Sequence, residues 1–414
     1  MPAFWSYRTH KNEINESCTG ERTSRFPVPA VVLDGPRSIM EEFVSVENIF
    51  FPGVALMHRA IQFAAICLFF GSYMGAAQQL TPEPTTASQA PNSDTSYIDP
   101  QGTAHVTRVV PVPATISPEA QMMLSRAVPD QGPPESLAER RAHVDASTDA
   151  ARIAWTKLCP NQIAEDKIAG VPVRIVTPAE IPPAHRDKVF INVHGGGFNS
   201  DSGSYSESIP IASYAGVKVV SVMYRLAPEN PFPAGIDDVI AVYKELLKSH
   251  PPSHIVIYGT SAGAIMTGEV AVKLKKLGLP LPAALGIFSG IGDFAHSGDT
   301  SSLFSSRGLA SHLDPASDPH DPYYIGSTSP TDPVLSPIFA DLHGLPPTLF
   351  VSGTRDMLLS GTANLHRAFL RAGIDARLVV FDAMPHAFWY NAQLPESVEA
   401  AHIMADFFLQ HVSQ

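Results

Sequence analysis

The stretch Ile255–Ala264, IVIYGTSAGA, decides how the rest of the chain is read. Ile255 to Tyr258 form an apolar, β-rich run and Ala264 to Leu274 reads as a helix, so Gly259-Thr260-Ser261-Ala262-Gly263 is the turn between strand and helix. A serine pushed out on so tight a turn sits in a strained backbone conformation, and only small residues two before and two after it avoid collision. Gly259 and Gly263 supply them. The helix that follows points its free N–H groups and positive dipole end at the serine, where negative charge develops during acyl transfer. Taken alone, the pattern also fits a serine capping a helix, so the remaining sequence has to decide between the two.

A serine hydroxyl is a poor nucleophile at neutral pH and needs a base, which in turn needs an acid to fix its tautomer. After the apolar run Thr348 to Val351 comes Ser352-Gly353-Thr354-Arg355-Asp356, and after Arg377 to Phe381 comes Asp382-Ala383-Met384-Pro385-His386. Both place their functional residue on a loop at a strand's C-terminal end, in the chain order Ser261, Asp356, His386. Asp382 is a rival acid, but four residues before His386 at a strand end it reads as a loop or capping residue. His366 and His402 fall on helices and His343 in an irregular stretch, which suits structural or solvated roles. Upstream, the run Val189 to Val193 ends in His194-Gly195-Gly196-Gly197-Phe198. Three glycines in a row cost conformational entropy and belong where backbone N–H groups must be presented. We expect the N–H groups of Gly195, Gly196 and Ala262 to form an oxyanion hole, in which loss of one donor costs about 3–4 kcal/mol of barrier. His194 is expected to orient the glycine loop. The loop lacks the GK[ST] ending of a phosphate cradle.

From Val171 onward strand-like and helix-like segments alternate: Val171 to Val176, Val189 to Val193, Val217 to Met223, a helix from about Ala234 to Leu247, the elbow, Ala283 to Phe288, Thr348 to Val351, a helix from about Thr362 to Ala372, Arg377 to Phe381, and a final helix ending near Val412. This alternation predicts an α/β fold with a mostly parallel central sheet flanked by helices. The stretch Asp293 to Leu345, rich in Ser, Asp, Gly and Pro, reads as an irregular excursion above the strand ends that helps line the pocket. Ahead of the sheet, Ser117-Pro118-Glu119 opens one helix and a second runs from about Ser136 to Lys157, so residues 106–170 are expected as a helical cap and 171–414 as the catalytic domain.

The N-terminus reads differently. From Met57 the chain runs MHRAIQFAAICLFFGSYMGAAQQ, with Arg59 as a positive flank, Phe63 to Phe70 as an apolar core and Gly75-Ala76-Ala77 as a small-residue cleavage site. We expect a signal peptide over 57–77, cleavage after Ala77, residues 1–56 as an upstream extension of the reading frame, and a secreted or periplasmic protein. The strongly apolar part is about half the length a bilayer requires, so no stable membrane span is expected in the mature protein. Residues 78–105, rich in Pro, Thr, Ser and Gln, read as a disordered linker. Lys+Arg number 28 against Asp+Glu 40, a formal net charge of -12, which gives no electrostatic case for nucleic acid as a partner. Cys18, Cys67 and Cys159 show no ligand-like spacing, so no metal and no disulfide framework are expected. A serine nucleophile with its base and acid works through an acyl-enzyme, so no cofactor is expected either.

HGGGF at 194–198, YRLAPE at 224–229, FPA at 232–234, GTSAGA at 259–264, GTRD at 353–356 and MPHAF at 384–388 together resemble the hormone-sensitive lipase-like esterases, an α/β-hydrolase family, over about residue 106 to the end. The resemblance implies Ser261, Asp356 and His386 as triad, Gly195, Gly196 and Ala262 as oxyanion donors, an N-terminal helical cap, and action on short- to medium-chain esters. Thr260 stands where the commoner pattern has Asp, as in the GTSAG subgroup, and Ala387 where many relatives have Gly. The expected activity is that of a serine carboxylesterase on a small-molecule ester, with a homodimer compatible with the reading. The alternatives are an amidase or deacetylase on small acylated compounds, since the same triad serves both, and a binding module that kept the fold and lost the chemistry.

Overall fold

In the computed structural model, residues 96–126, 136–309 and 322–412 are described, all within a compact unit spanning Gln89–Gln414. The expected upstream extension, the signal segment and the linker as far as residue 95 lie outside them. The end of that linker departs from expectation: Tyr97–Ile98 and Ala104–His105 pair as a small antiparallel hairpin. Asp99 Oδ1 closes its turn by accepting from the N–H groups of Gln101 and Thr103, a local bond that composition alone does not reveal.

Eight strands form one sheet: β1 Asn161–Ile168, β2 Val171–Pro178, β3 Val189–Val193, β4 Lys218–Val222, β5 Ile255–Thr260, β6 Ala284–Phe288, β7 Thr348–Arg355 and β8 Ala376–Pro385. Their spatial order is β8-β7-β6-β5-β3-β4-β2-β1. The six from β3 onward run parallel, while β2 pairs antiparallel with both β4 and β1. The central strands are mostly apolar because both faces are covered, with Asn192 of β3 and Ser221 of β4 as buried polar exceptions. In β5, Ile255 and Ile257 enter the core beneath α4 (Ala234–Leu246), α5 (Ala262–Lys276) and α8 (Leu359–Arg371), while Val256 and Tyr258 face α3 (Ser204–Ala215) and α9 (Pro395–His411). The alternation of side chains along a strand thus divides one apolar run between two cores.

Two readings are corrected. Strand β1 falls inside 106–170, expected as helical cap; its sequence NQIAEDKI is polar because it is the exposed edge of the sheet, so it carries no apolar run. Helix α3 also escaped the reading, its apolar residues being scattered among Ser, Tyr and Glu. The two N-terminal helices form where expected. In α1 (Pro118–Leu124), Ser117 caps Ala120 N–H; in α2 (Leu137–Leu158), Ser136 and Glu139 form a reciprocal capping box. They do not pack as a pair: α1 rests on α9 and α2 on α3, with Trp155 of α2 buried in the core and its Nε1 donating to Tyr390 O.

Candidate active site

Ser261 lies between the last residue of β5 and the first of α5 with φ 57° and ψ -123°, a left-handed conformation that a side-chain-bearing residue adopts only under constraint. The constraint is contact. A Cβ on Gly263 would stand 1.8 Å from Val193 O, and one on Gly259 2.3 Å from the same oxygen, so both flanks must be glycine for the turn to pass β3. Ser261 N–H donates to Phe288 O at 2.9 Å, which ties the turn to β6.

His386, on the loop after β8, has its Nε2 2.9 Å from Ser261 Oγ and its Nδ1 2.9 Å from Asp356 Oδ1. Asp356, at the end of β7, is fully buried. Ser289 and Ser352 donate their hydroxyls to its Oδ2 at 2.5 and 2.6 Å, and Leu358 donates its N–H to Oδ1 at 2.9 Å. Burial pushes this carboxyl up, but the adjacent His386 and the two serines outweigh it and hold it below the ordinary carboxylate value. The geometry therefore brings together the three residues picked from the sequence. Asp382, the rival acid, instead accepts from Thr115 and Thr354 at the surface.

The glycine loop corrects one expectation. Gly195 N–H donates to Glu207 Oε1 at 2.9 Å, so it is already engaged and does not face the serine as a free donor. Among the described residues, the N–H groups of Gly196, Gly197 and Ala262 donate to no protein acceptor, which shifts the open donors one residue along the loop. Their arrangement depends on φ 128° at Gly196 and 58° at Gly197. His194 is buried, its Nδ1–H donates to Gly195 O at 2.8 Å, and its ring stacks on Tyr224, whose hydroxyl donates to His194 O.

A sequence profile of the α/β-hydrolase fold matches residues 190–390. An acetyl-hydrolase of Streptomyces hygroscopicus is 33% identical over 236 residues, covering 55% of this chain and 77% of that protein. An esterase of Acinetobacter venetianus is 28% identical over 228 residues, covering 54% and 75%. Among solved structures, an esterase called E25 superposes with TM-score 0.67 at 32% identity, over 74% of this chain and 98% of that one. An esterase from the bacterial hormone-sensitive lipase family does so with TM-score 0.61 at 29%, over 72% and 99%. The chain belongs to the hormone-sensitive lipase-like esterases of the α/β-hydrolase fold. It is a carboxylic ester hydrolase, acting on small ester substrates.

The departures from the commoner family pattern have structural partners in this esterase. Thr260 is buried and its Oγ1 accepts from Trp389 Nε1 at 3.1 Å, joining the nucleophile strand to the loop that carries His386. Ala387 adopts φ 51°, the region glycine prefers, so the turn keeps its shape with a methyl group present. The excursion after β6, which carries the short helices α6 (Asp299–Leu303) and α7 (Pro322–Ile325), packs on the glycine loop. Phe198 stacks on Tyr324 at 3.5 Å between centroids, Phe294 lies beside both, and the Tyr324 hydroxyl donates to Glu269 Oε2 of α5. Helix α2 reaches the same loop: Arg141 donates to Asn199 O and Ala227 O and pairs bidentately with Glu229 of the YRLAPE segment. Sequence reasoning missed Ser289, Ser352 and Glu207. The first two are ordinary serines in sequence, and only an acid among small residues in α3 signalled the third.

Proposed function

We propose that this esterase hydrolyses short- to medium-chain acyl esters through an acyl-enzyme formed on Ser261. One observation supports the reading above the others: the unbroken line from Asp356 through His386 to Ser261, with both links at 2.9 Å. His386 takes the proton as Ser261 Oγ attacks the ester carbonyl. Gly196, Gly197 and Ala262 N–H groups stabilise the oxyanion, and His386 returns the proton to the departing alcohol. It then deprotonates the water that releases the acid and restores Ser261, while Asp356 stays ionised and holds the imidazole. His194 orients the glycine loop, and α2, anchored through Arg141, forms the cap beside it. That one relative is named an acetyl-hydrolase supports the short end of the acyl range.

The test is hydrolysis of p-nitrophenyl esters from acetate to palmitate, with Ser261→Ala alongside. Rates peaking at short acyl chains and lost in the variant support the proposal; a variant that keeps most of the activity, or a peak at palmitate, contradicts it. We propose also that the natural protein is exported through the segment beginning at Met57. N-terminal sequencing of the secreted form should start at Gln78, and a mature chain retaining residues before Met57 overturns this.

A further inference from the structure

Behind the glycine loop lies a polar cluster with no part in the proton relay. Glu207, in the first turn of α3, is buried, and its carboxyl receives three hydrogen bonds. Gly195 N–H and Tyr390 Oη donate to Oε1 at 2.9 and 2.6 Å, and Asn192 Nδ2 donates to Oε2 at 2.6 Å. Asn192 is itself fixed, its Oδ1 accepting from Ser221 Oγ at 2.6 Å. The backbone is shaped around this carboxyl: a Cβ on Gly203 would stand 1.8 Å from Oε1, and one on Gly195 2.5 Å from Tyr390 Oη. Burial pushes the carboxyl up to about 7 despite the three donors, so holding it there costs stability that an apolar side chain would not. A group kept at such a cost beside a site is a candidate for work at that site.

We propose that Glu207 is the positioning residue of the oxyanion hole: by gripping Gly195 N–H and Tyr390 Oη on one carboxylate oxygen, it fixes the glycine loop against the segment carrying His386. Gly195 immediately precedes the two open donors at Gly196 and Gly197, and Tyr390 follows His386 by four residues. A shift of the carboxyl therefore moves donors and base relative to one another, and misplacement of about 1 Å can cost on the order of 100-fold in rate. The inference rests on the reading of Ser261 as nucleophile and of the glycine loop as oxyanion hole.

Glutamine is a sharp probe here, because only donors converge on the carboxyl. Whichever way the amide of Glu207→Gln turns, its NH2 meets either Asn192 Nδ2 or Gly195 N–H. Gly195 N–H cannot turn away, and Asn192 does so only by exchanging its Oδ1 and Nδ2, with Ser221 Oγ then accepting where it now donates. The experiment compares wild type, Glu207→Gln and Tyr390→Phe on p-nitrophenyl butyrate. Alongside kcat and KM it measures the affinity for an alkyl trifluoromethyl ketone, to whose carbonyl carbon Ser261 Oγ adds to leave an oxyanion in the hole. The fraction of competent enzyme comes from active-site titration. Expected for Glu207→Gln is a kcat lower by about 10- to 100-fold with KM within about twofold, and ketone affinity falling in step with kcat per titrated site. Tyr390→Phe, which leaves the Gly195 bond in place, should show a smaller loss in the same two quantities. Glu207→Gln with wild-type kcat and ketone affinity overturns the proposal, as does a loss accounted for by fewer titratable sites. If that variant does not fold, unchanged kcat and ketone affinity in Tyr390→Phe overturns it. An inactive wild type would instead sink the esterase reading beneath it.

Discussion

At the scale of single residues, the site is a serine in a conformation it would not adopt alone, beside a histidine whose partner cannot move. Three donors and burial fix Asp356, so its replacement removes orientation as well as charge. Ser261→Ala should lower kcat by about 10⁶, and Asp356→Asn by about 10⁴ through the wrong imidazole tautomer, both with little change in KM. An Asp356→Asn enzyme within about tenfold of wild type would move the acid elsewhere. Thr260→Val tests the subgroup's departure from Asp. It strands the Trp389 N–H in the interior, and thermal unfolding should show a loss of about 1–3 kcal/mol. Ser261, Asp356 and His386 were legible because each ends a strand at one edge of the sheet, which spacing and strand order reveal. The open N–H groups of the glycine loop were read one residue early, since Gly195 N–H is engaged by Glu207. Which glycine N–H is open depends on Glu207, 12 residues further along, and no local pattern reports that bond.

At the scale of elements, the central strands were legible within a residue or two at most ends because burial on both faces leaves a continuous apolar run. The longer extents of β7 and β8 were not. Their ends, SGTR and DAMP, are polar or turn-like and join the ladder only through pairing with each other, across a register shift before Pro385. Edge strand β1 was hidden for the same reason. Helix α2 was legible from its cap and spacing, but not its attachment, which depends on Arg141 meeting two carbonyls and Glu229 far along the chain. Arg141→Ala should destabilise the enzyme by about 1–2 kcal/mol in denaturant unfolding, and should raise KM more than it lowers kcat, since it loosens the wall of the site and not the proton relay. An unchanged KM would place α2 outside the substrate's path.

At the scale of the molecule, one sheet carries both cores and delivers Ser261, Asp356 and His386 to one edge, so stability and activity share the same interior. The buried Glu207 makes that link measurable. Around it stand Asp201, itself paired with Arg174 and near His194, and the hydroxyls of Tyr224, Tyr258 and Tyr390. With its carboxyl at about 7 when folded against 4.5 as the ordinary value, the folded state binds the extra proton between those two pH values. Its contribution to stability therefore declines as pH rises through that window and is level above it, by on the order of 3 kcal/mol in all. Glu207→Gln lacks this slope, so the gap in unfolding free energy between variant and wild type should move in the variant's favour between about pH 5 and about pH 8. A constant gap would mean the carboxyl titrates normally. The central claim, that Ser261 is the nucleophile activated by His386, is tested most directly by inactivation with diethyl p-nitrophenyl phosphate, followed by peptide mapping in the mass spectrometer. The account predicts one diethylphosphoryl group per chain, on Ser261, appearing in step with loss of esterase activity and absent from His386→Ala. Full activity in a chain labelled at Ser261, or inactivation with the label elsewhere, would contradict it.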